Sequence, residues 1–211
     1  MQLKIPFADV GSILITGYEQ NLQSTFARIF TAQHLERGGT VIALADSESD
    51  GKEQVGSMAD ALRSLEIKHS ALERFHIFEE PRKYRTSDEL AKAIKKHRWF
   101  NDGAVLVLRD LGRDMAELLP GASWLDIASQ LALLLDVRVL TASHNGRSGV
   151  PAPNYEKYEA DEVWTCTAGL NLGLQLKRIK PTEATINLVG SMLPYGTISF
   201  ENKENEHDFA Q

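Results

Sequence analysis

The chain has 211 residues, 43% hydrophobic and 25% charged, which is ordinary for one soluble domain long enough to bury a full core. Its net charge of −6 supplies no global basic field for nucleic acid or anionic lipid, so any such contact needs a local patch. No apolar run approaches the ~20 residues of a membrane span. The first residues lack the apolar centre of a secretion signal, and the single cysteine, Cys166, cannot pair within the chain, so a cytoplasmic setting is expected.

In chain order, Ile13, Leu14 and Ile15 read as a buried strand, followed by a turn opened by Gly17. Leu22, Phe26, Ile29, Phe30 and Leu35 then recur at helical spacing until Gly38-Gly39. Residues 40–46 (TVIALAD) form a second buried strand that runs into an acidic loop, Asp46-Ser-Glu48-Ser-Asp50. Val55, Met58, Ala59, Leu62 and Leu65 predict a helix over 52–66, and a short strand follows at 75–78. Arg82-Lys83-Tyr84-Arg85 leads to Thr86, whose spacing to Glu89 is that of a capping box opening a helix with Leu90 and Ile94 inward.

Residues 103–108 are the most apolar strand candidate and end in Arg109-Asp110. A helix is expected over 123–136 and a buried strand over 137–142, ending in Ser143-His144-Asn145-Gly146-Arg147. After a Gly/Pro-rich crossing at 148–155 come strands at 163–167, 172–179, 185–189 and 197–200 with no helical periodicity between them. This order predicts an α/β domain over residues 1–200. It would have a mostly parallel twisted sheet, helices on both faces, and antiparallel strands added at the C-terminal edge. The segment 201–211 (ENKENEHDFAQ) reads as an acidic tail that frays or serves as a contact arm.

Strand, turn and helix over 12–39 form the frame of a phosphate-binding loop, G-x-x-x-x-G-K-[ST]. In that motif backbone amides wrap the phosphates and a lysine meets their charge. Gly17, Ser24 and Thr25 are in place, but Leu22 stands at the second glycine and Gln23 at the lysine. The other reading of Gln23-Ser24-Thr25 is a helix N-terminus capped by polar side chains.

Together these strand ends resemble the RecA-like core of P-loop NTPases, in its KaiC-type and DnaB-helicase-type branches, over most of residues 11–200. Asp46-Ser-Glu48-Ser resembles the segment whose Glu activates water. Val105-Leu-Val-Leu108-Arg109-Asp110 resembles the strand whose Asp holds Mg²⁺ through water, with Asp110 one position late. Ser143-His144-Asn145-Gly-Arg147 resembles a phosphate sensor followed by an arginine, and Ala160-Asp161-Glu-Val-Trp164 an Ala-Asp pair opening the next strand. Lys177-Arg178-Ile-Lys180-Pro181 resembles a basic strand end that reaches a neighbouring subunit's phosphate.

The resemblance implies a subunit that packs side by side into homo- or hetero-oligomeric rings or filaments. It implies a vestigial nucleotide site at Gly17, Gln23, Ser24 and Thr25. Sensor or intersubunit roles fall to His144, Asn145, Arg147, Lys177, Arg178 and Lys180. With the loop altered, no cofactor is expected and the role is regulatory or structural, in DNA or RNA transactions or secretion. The alternative is an active ATPase with ATP and Mg²⁺, an atypical loop, and Glu48 and Asp110 as catalytic candidates.

Residue by residue the plainer readings stay open: a solvated acidic turn for Asp46 and Glu48, an ion pair with Arg109 or Arg113 for Asp110, a hydrogen-bonded strand end for His144. The six histidines and one cysteine show no metal-ligand spacing. A single-stranded nucleic acid could also contact Arg82, Arg85 and the basic stretch 92–98, stacking on Tyr84, Trp99 and Phe100.

Overall fold

Ser12 and Thr16 interrupt an aliphatic run and are buried with it, so the first strand must meet polar partners inside the protein. The computed structural model describes residues 7, 10–17, 22–79, 81–101, 103–108, 124–144, 160–168, 174–192 and 198–202. In these, β1 (Gly11–Gly17) leads to α1 (Leu22–Glu36), β2 (Val41–Ala45), α2 (Glu48–Ser64) and, after a 3₁₀ turn at His69–Arg74, β3 (Phe75–Glu79). Next come α3 (Ser87–Lys95), β4 (Val105–Leu108), α4 (Trp124–Leu135) and β5 (Arg138–His144). Four strands close the chain: β6 (Glu162–Ala168), β7 (Leu174–Lys180), β8 (Ala184–Met192) and β9 (Ile198–Asn202).

The strands form one nine-stranded sheet in the order β3-β2-β4-β5-β1-β6-β7-β8-β9. Pairing is parallel from β3 through β6 and antiparallel from β6 through β9. The expected antiparallel edge is therefore present, but it begins one strand later than expected. The strand over 162–168 joins β1 in parallel, which the long connection before it permits.

Although β2 and β4 are aliphatic throughout, their residues, like those of β5, divide between two faces. Ile42, Leu44, Leu106, Leu108 and Val139 pack with α3 and α4. Val41 packs under α1 and α2, and Val105, Leu140 and Ala142 join the α1 side with Phe26 and Ile29. Trp164 is fully buried there, its ring 5.3 Å from Phe7 and its Nε1 donating to Glu162 Oε2 at 2.8 Å.

The acidic loop expected after β2 is instead the start of α2, which begins four residues before the expected helix. Ser47 has extended backbone and its Oγ accepts from the Asp50 amide. Glu48 and Asp50 in the first turn then complement the positive end of the helix. The α3 cap forms as expected: Thr86 Oγ1 accepts from the Glu89 amide, and Glu89 Oε2 accepts from the amide of Arg85. Tyr84, Trp99 and Phe100 are not presented as open platforms. They pack against the core, Tyr84 on Phe78 and Trp99 stacked against His76 (5.1 Å) and His97 (4.4 Å).

The amino end of β1 is held by one carboxylate. Asp161 Oδ2 accepts from the Ser12 amide (2.8 Å) and the Ser12 hydroxyl (3.0 Å), while the Asp161 amide donates to Ser12 Oγ (3.0 Å). Ser12 Oγ also lies 2.9 Å from Ser129 Oγ of α4. Gly11 has φ +124°, and a Cβ there would stand 3.1 Å from the same carboxylate oxygen, so glycine is what the approach allows. Replacing Asp161 by Ala leaves the buried Ser12 amide unpaired. We expect a loss of about 1–3 kcal/mol in unfolding free energy, read from the urea midpoint at unchanged m-value.

His34, in the last turn of α1, packs so close under Gly39 that a Cβ there would collide with its imidazole. Burial pushes its pKa below the ordinary 6.5, helped by the Arg138 and Arg37 guanidinia and opposed by the Thr40 and Gly103 carbonyls. The unfolded chain therefore binds this proton before the folded one does. Stability is full above about 6.5 and falls as pH drops from there toward the folded value. Urea unfolding between about pH 7.5 and about pH 5 should show this loss. His34→Gln should flatten part of it, the remainder including His76, whose pKa burial also lowers.

Candidate functional site

In a parallel sheet the polar groups able to meet a ligand gather beyond the carboxyl ends of the strands. Here β1 ends at Gly17, whose Cα pairs with His144 of β5 on one side and Cys166 of β6 on the other. The end of the first strand, the expected sensor position and the one cysteine thus stand at a single level. Cys166 is fully buried at that level, a small strand residue as its Trp-Thr-Cys-Thr surroundings suggested.

Helix α1 begins at Leu22, so Leu22 and Gln23 are its first two residues and Ser24 and Thr25 complete the first turn, half-buried. The strand and the helix read from the sequence on either side of the loop are present, and residues 18–21 between them lie outside the described residues. Ser24 also lines a cleft between α1 and α2, with Arg28 and Thr31 from α1, Gln54 and Ser57 from α2, and Val107 on the floor. Arg28, one turn beyond Ser24, is the one Lys or Arg that α1 carries.

Glu48 is the first residue of α2 and faces solvent, its carboxylate 2.6 Å from Lys52 Nζ one turn later. This is an exposed i,i+4 helix pair. Asp50 turns inward instead. Its Oδ2 accepts from the Asp46 amide (3.1 Å) and from Gln54 Nε2 (3.1 Å), and Gln54 also donates to the Leu44 carbonyl (2.9 Å). Gln54 thereby ties the end of β2 to α2. Sequence reasoning missed it, although a glutamine at a helix position between Gly51 and Met58, both buried, was the available signal.

The basic strand end lies elsewhere. Because β7 runs antiparallel, Lys177, Arg178 and Lys180 pair with Thr165, Trp164 and Val163, descending toward the amino ends of the parallel strands. Val163 is level with Leu14, three residues below Gly17, or roughly 10 Å. Lys180 Nζ donates to the Ala160 carbonyl (2.7 Å), and Lys177 pairs with Glu183 (3.5 Å). Arg178 donates to the carbonyl and hydroxyl of Thr182 while lying 5.5 Å over the Trp164 ring. Within one subunit these groups and the Gly17–His144 edge are not brought together. Asn145, Arg147, Arg109 and Asp110 lie outside the described residues.

Among the described residues no group of three or more His, Cys, Asp or Glu side chains is placed to hold a metal ion, and no helix is long and apolar enough to cross a membrane. What the edge offers is a helix N-terminus with two hydroxyl residues in its first turn. Such an end attracts anions weakly through its unpaired amides.

No protein-family model matches the sequence, and no curated protein is detectably similar to it. Solved structures do match. One is a helicase ATPase domain, with TM-score 0.60 and 14% identity over 92% of this chain and 85% of that one. Another is the flagellar accessory protein FlaH from Methanocaldococcus jannaschii, with TM-score 0.53 and 13% identity over 92% and 90%. The topology of the sheet, the helix placement and these likenesses agree: this chain has a RecA-like fold.

Proposed function

We propose that this chain is a non-hydrolysing RecA-like subunit, retained for assembly or regulation within a ring or filament of like or related subunits. What supports the reading is the residue at the second position of α1. With β1 ending at Gly17 and α1 starting at Leu22, Gln23 occupies the turn that would have to neutralise a triphosphate, and glutamine has no charge to do it. Losing one charge-assisted hydrogen bond costs about 1.5–3 kcal/mol in binding. The transition-state stabilisation lost with it is larger, on the order of 3–4 kcal/mol. Leu22 adds a side chain where the motif lets backbone approach phosphate.

The exposed Glu48–Lys52 pair supports the same reading, since a carboxylate that activates water is held toward its substrate and not along a solvated helix surface. FlaH, similar in fold, carries the name of an accessory protein, and an accessory place in a DNA, RNA or secretion machine is the role we carry over. The opposing reading, an ATPase using ATP and Mg²⁺ through an atypical loop, draws on the hydroxyls of Ser24 and Thr25 at the first turn.

Calorimetric titration with Mg-ATP separates the two. The assembly reading expects no saturable heat and no phosphate release above background. It expects measurable affinity to appear only when Gln23→Lys restores the charge, and light scattering to show a species larger than the 23.5 kDa monomer. Micromolar binding with steady phosphate release by the parent chain would sink it.

A further inference from the structure

The central strands of a parallel sheet are covered on both faces, so a partly exposed residue in one of them marks a gap in the cover. Val107 of β4, a strand between β2 and β5, is such a residue. It lies where α1 and α2 part, on the floor of the cleft that Ser24 borders. Ala43, paired with it on β2, and Ala142 of β5 are too small to fill the space, which Met58 and Phe75 also line. About 60 Å³ stays open, room for several waters or for the edge of one small ring. The α1 wall continues from Ser24 to Arg28 and Thr31, one and two turns on, so the cleft runs away from the phosphate-binding frame.

Gln54 sets the chemistry of the α2 wall. It is 7% exposed, and its Nε2 donates to the Leu44 carbonyl and the Asp50 carboxylate. Both partners are acceptors, so the amide group cannot turn over and its Oε1 stays on the opposite side. Among the described residues no donor meets that oxygen. A buried carbonyl oxygen left without a donor is costly, so the cleft favours an occupant that brings one. Thr31 does not supply it, since its hydroxyl is donated to the carbonyls of Ala27 and Arg28. The surrounding charge narrows the donor further. A carboxylate or phosphate would set its lone pairs against the Gln54 oxygen. An ammonium would meet the Arg28 guanidinium and the positive end of α1 at Ser24. What fits is an uncharged N–H on a flat apolar body.

We propose that the cleft between α1 and α2 binds a small uncharged heteroaromatic molecule, edge-on, through a ring N–H donated to Gln54 Oε1. The ring enters between the two helices and rests on Val107 and its alanine neighbours, which removes apolar surface from water. The Ser24 and Ser57 hydroxyls border the same cleft and can answer a second polar group on the ligand. The site is independent of the assembly reading and does not require a nucleotide.

Indole and benzofuran, nearly the same shape with and without the N–H, are the probes. Titrated into the isotope-labelled full-length chain, indole should give saturable NMR shifts in the backbone amides of residues 24–31 and 54–58. The side-chain amide of Gln54 should move with them, because its oxygen takes up the new hydrogen bond. Benzofuran should bind at least about tenfold more weakly, the buried acceptor being left unmet. Ser57→Phe places a ring in the cleft from a half-buried helix position and should weaken indole at least about tenfold, with circular dichroism unchanged. If that variant fails to fold, the comparison of indole with benzofuran in the parent chain decides. Equal affinity for the two probes would overturn the proposal, as would shifts centred outside the cleft or full indole binding by folded Ser57→Phe. An absence of saturable shifts would mean that the cleft holds water only and would overturn it as well.

Discussion

Ser12 is a buried hydroxyl residue in an otherwise aliphatic strand, and its amide and hydroxyl both end on the Asp161 carboxylate. That carboxylate comes from a segment 149 residues away, and the Ser129 hydroxyl of α4 meets the same oxygen of Ser12. Three distant parts of the chain are therefore registered at one point. Successive side chains of a strand face opposite ways, so a slip of one residue would exchange the two faces of β1. Ile13 and Ile15 would leave the α1 side, and Gly17 would lose its level with His144 and Cys166. A buried amide that would lose its carboxylate partner is a strong guard against that slip.

From this registration the edge follows. Parallel strands ending together place a helix N-terminus, a strand-end histidine position and the start of α2 on one rim, the frame in which RecA-like proteins handle phosphates. The first turn of α1 contributes hydroxyls and dipole, and its one Lys or Arg comes a full turn later, at Arg28 in the cleft toward α2. Fixed dipoles and hydroxyls suffice for a weakly held anion, but a triphosphate also needs counter-charge at its terminal groups. In the reading proposed above, the architecture has outlasted the chemistry.

The two ends of the sheet also differ in a way that the fold alone does not require. One edge strand is followed in the chain by exposed lysines and arginines, and the other by a run of acids. Edge strands invite pairing, and proteins commonly block them with charge.

Much of this was legible from residues alone, because it rests on local periodicity and caps. The 3.6-residue spacing of Leu22, Phe26, Ile29 and Phe30, the aliphatic runs of β2 and β4, and the Thr86–Glu89 box each state their own structure. So does the substitution at Gln23, since glutamine is uncharged in any fold. The start of α2 was missed because Ser47 as a cap looks the same as a serine in an acidic loop until the Asp50 amide turns onto it. Only the tertiary structure decided that β6 joins in parallel, that Asp161 holds Ser12, and that Lys177, Arg178 and Lys180 descend away from the Gly17 edge. Each of these depends on which strand lies beside which and in what direction, a long-range choice carried by packing, and single-sequence patterns do not encode it.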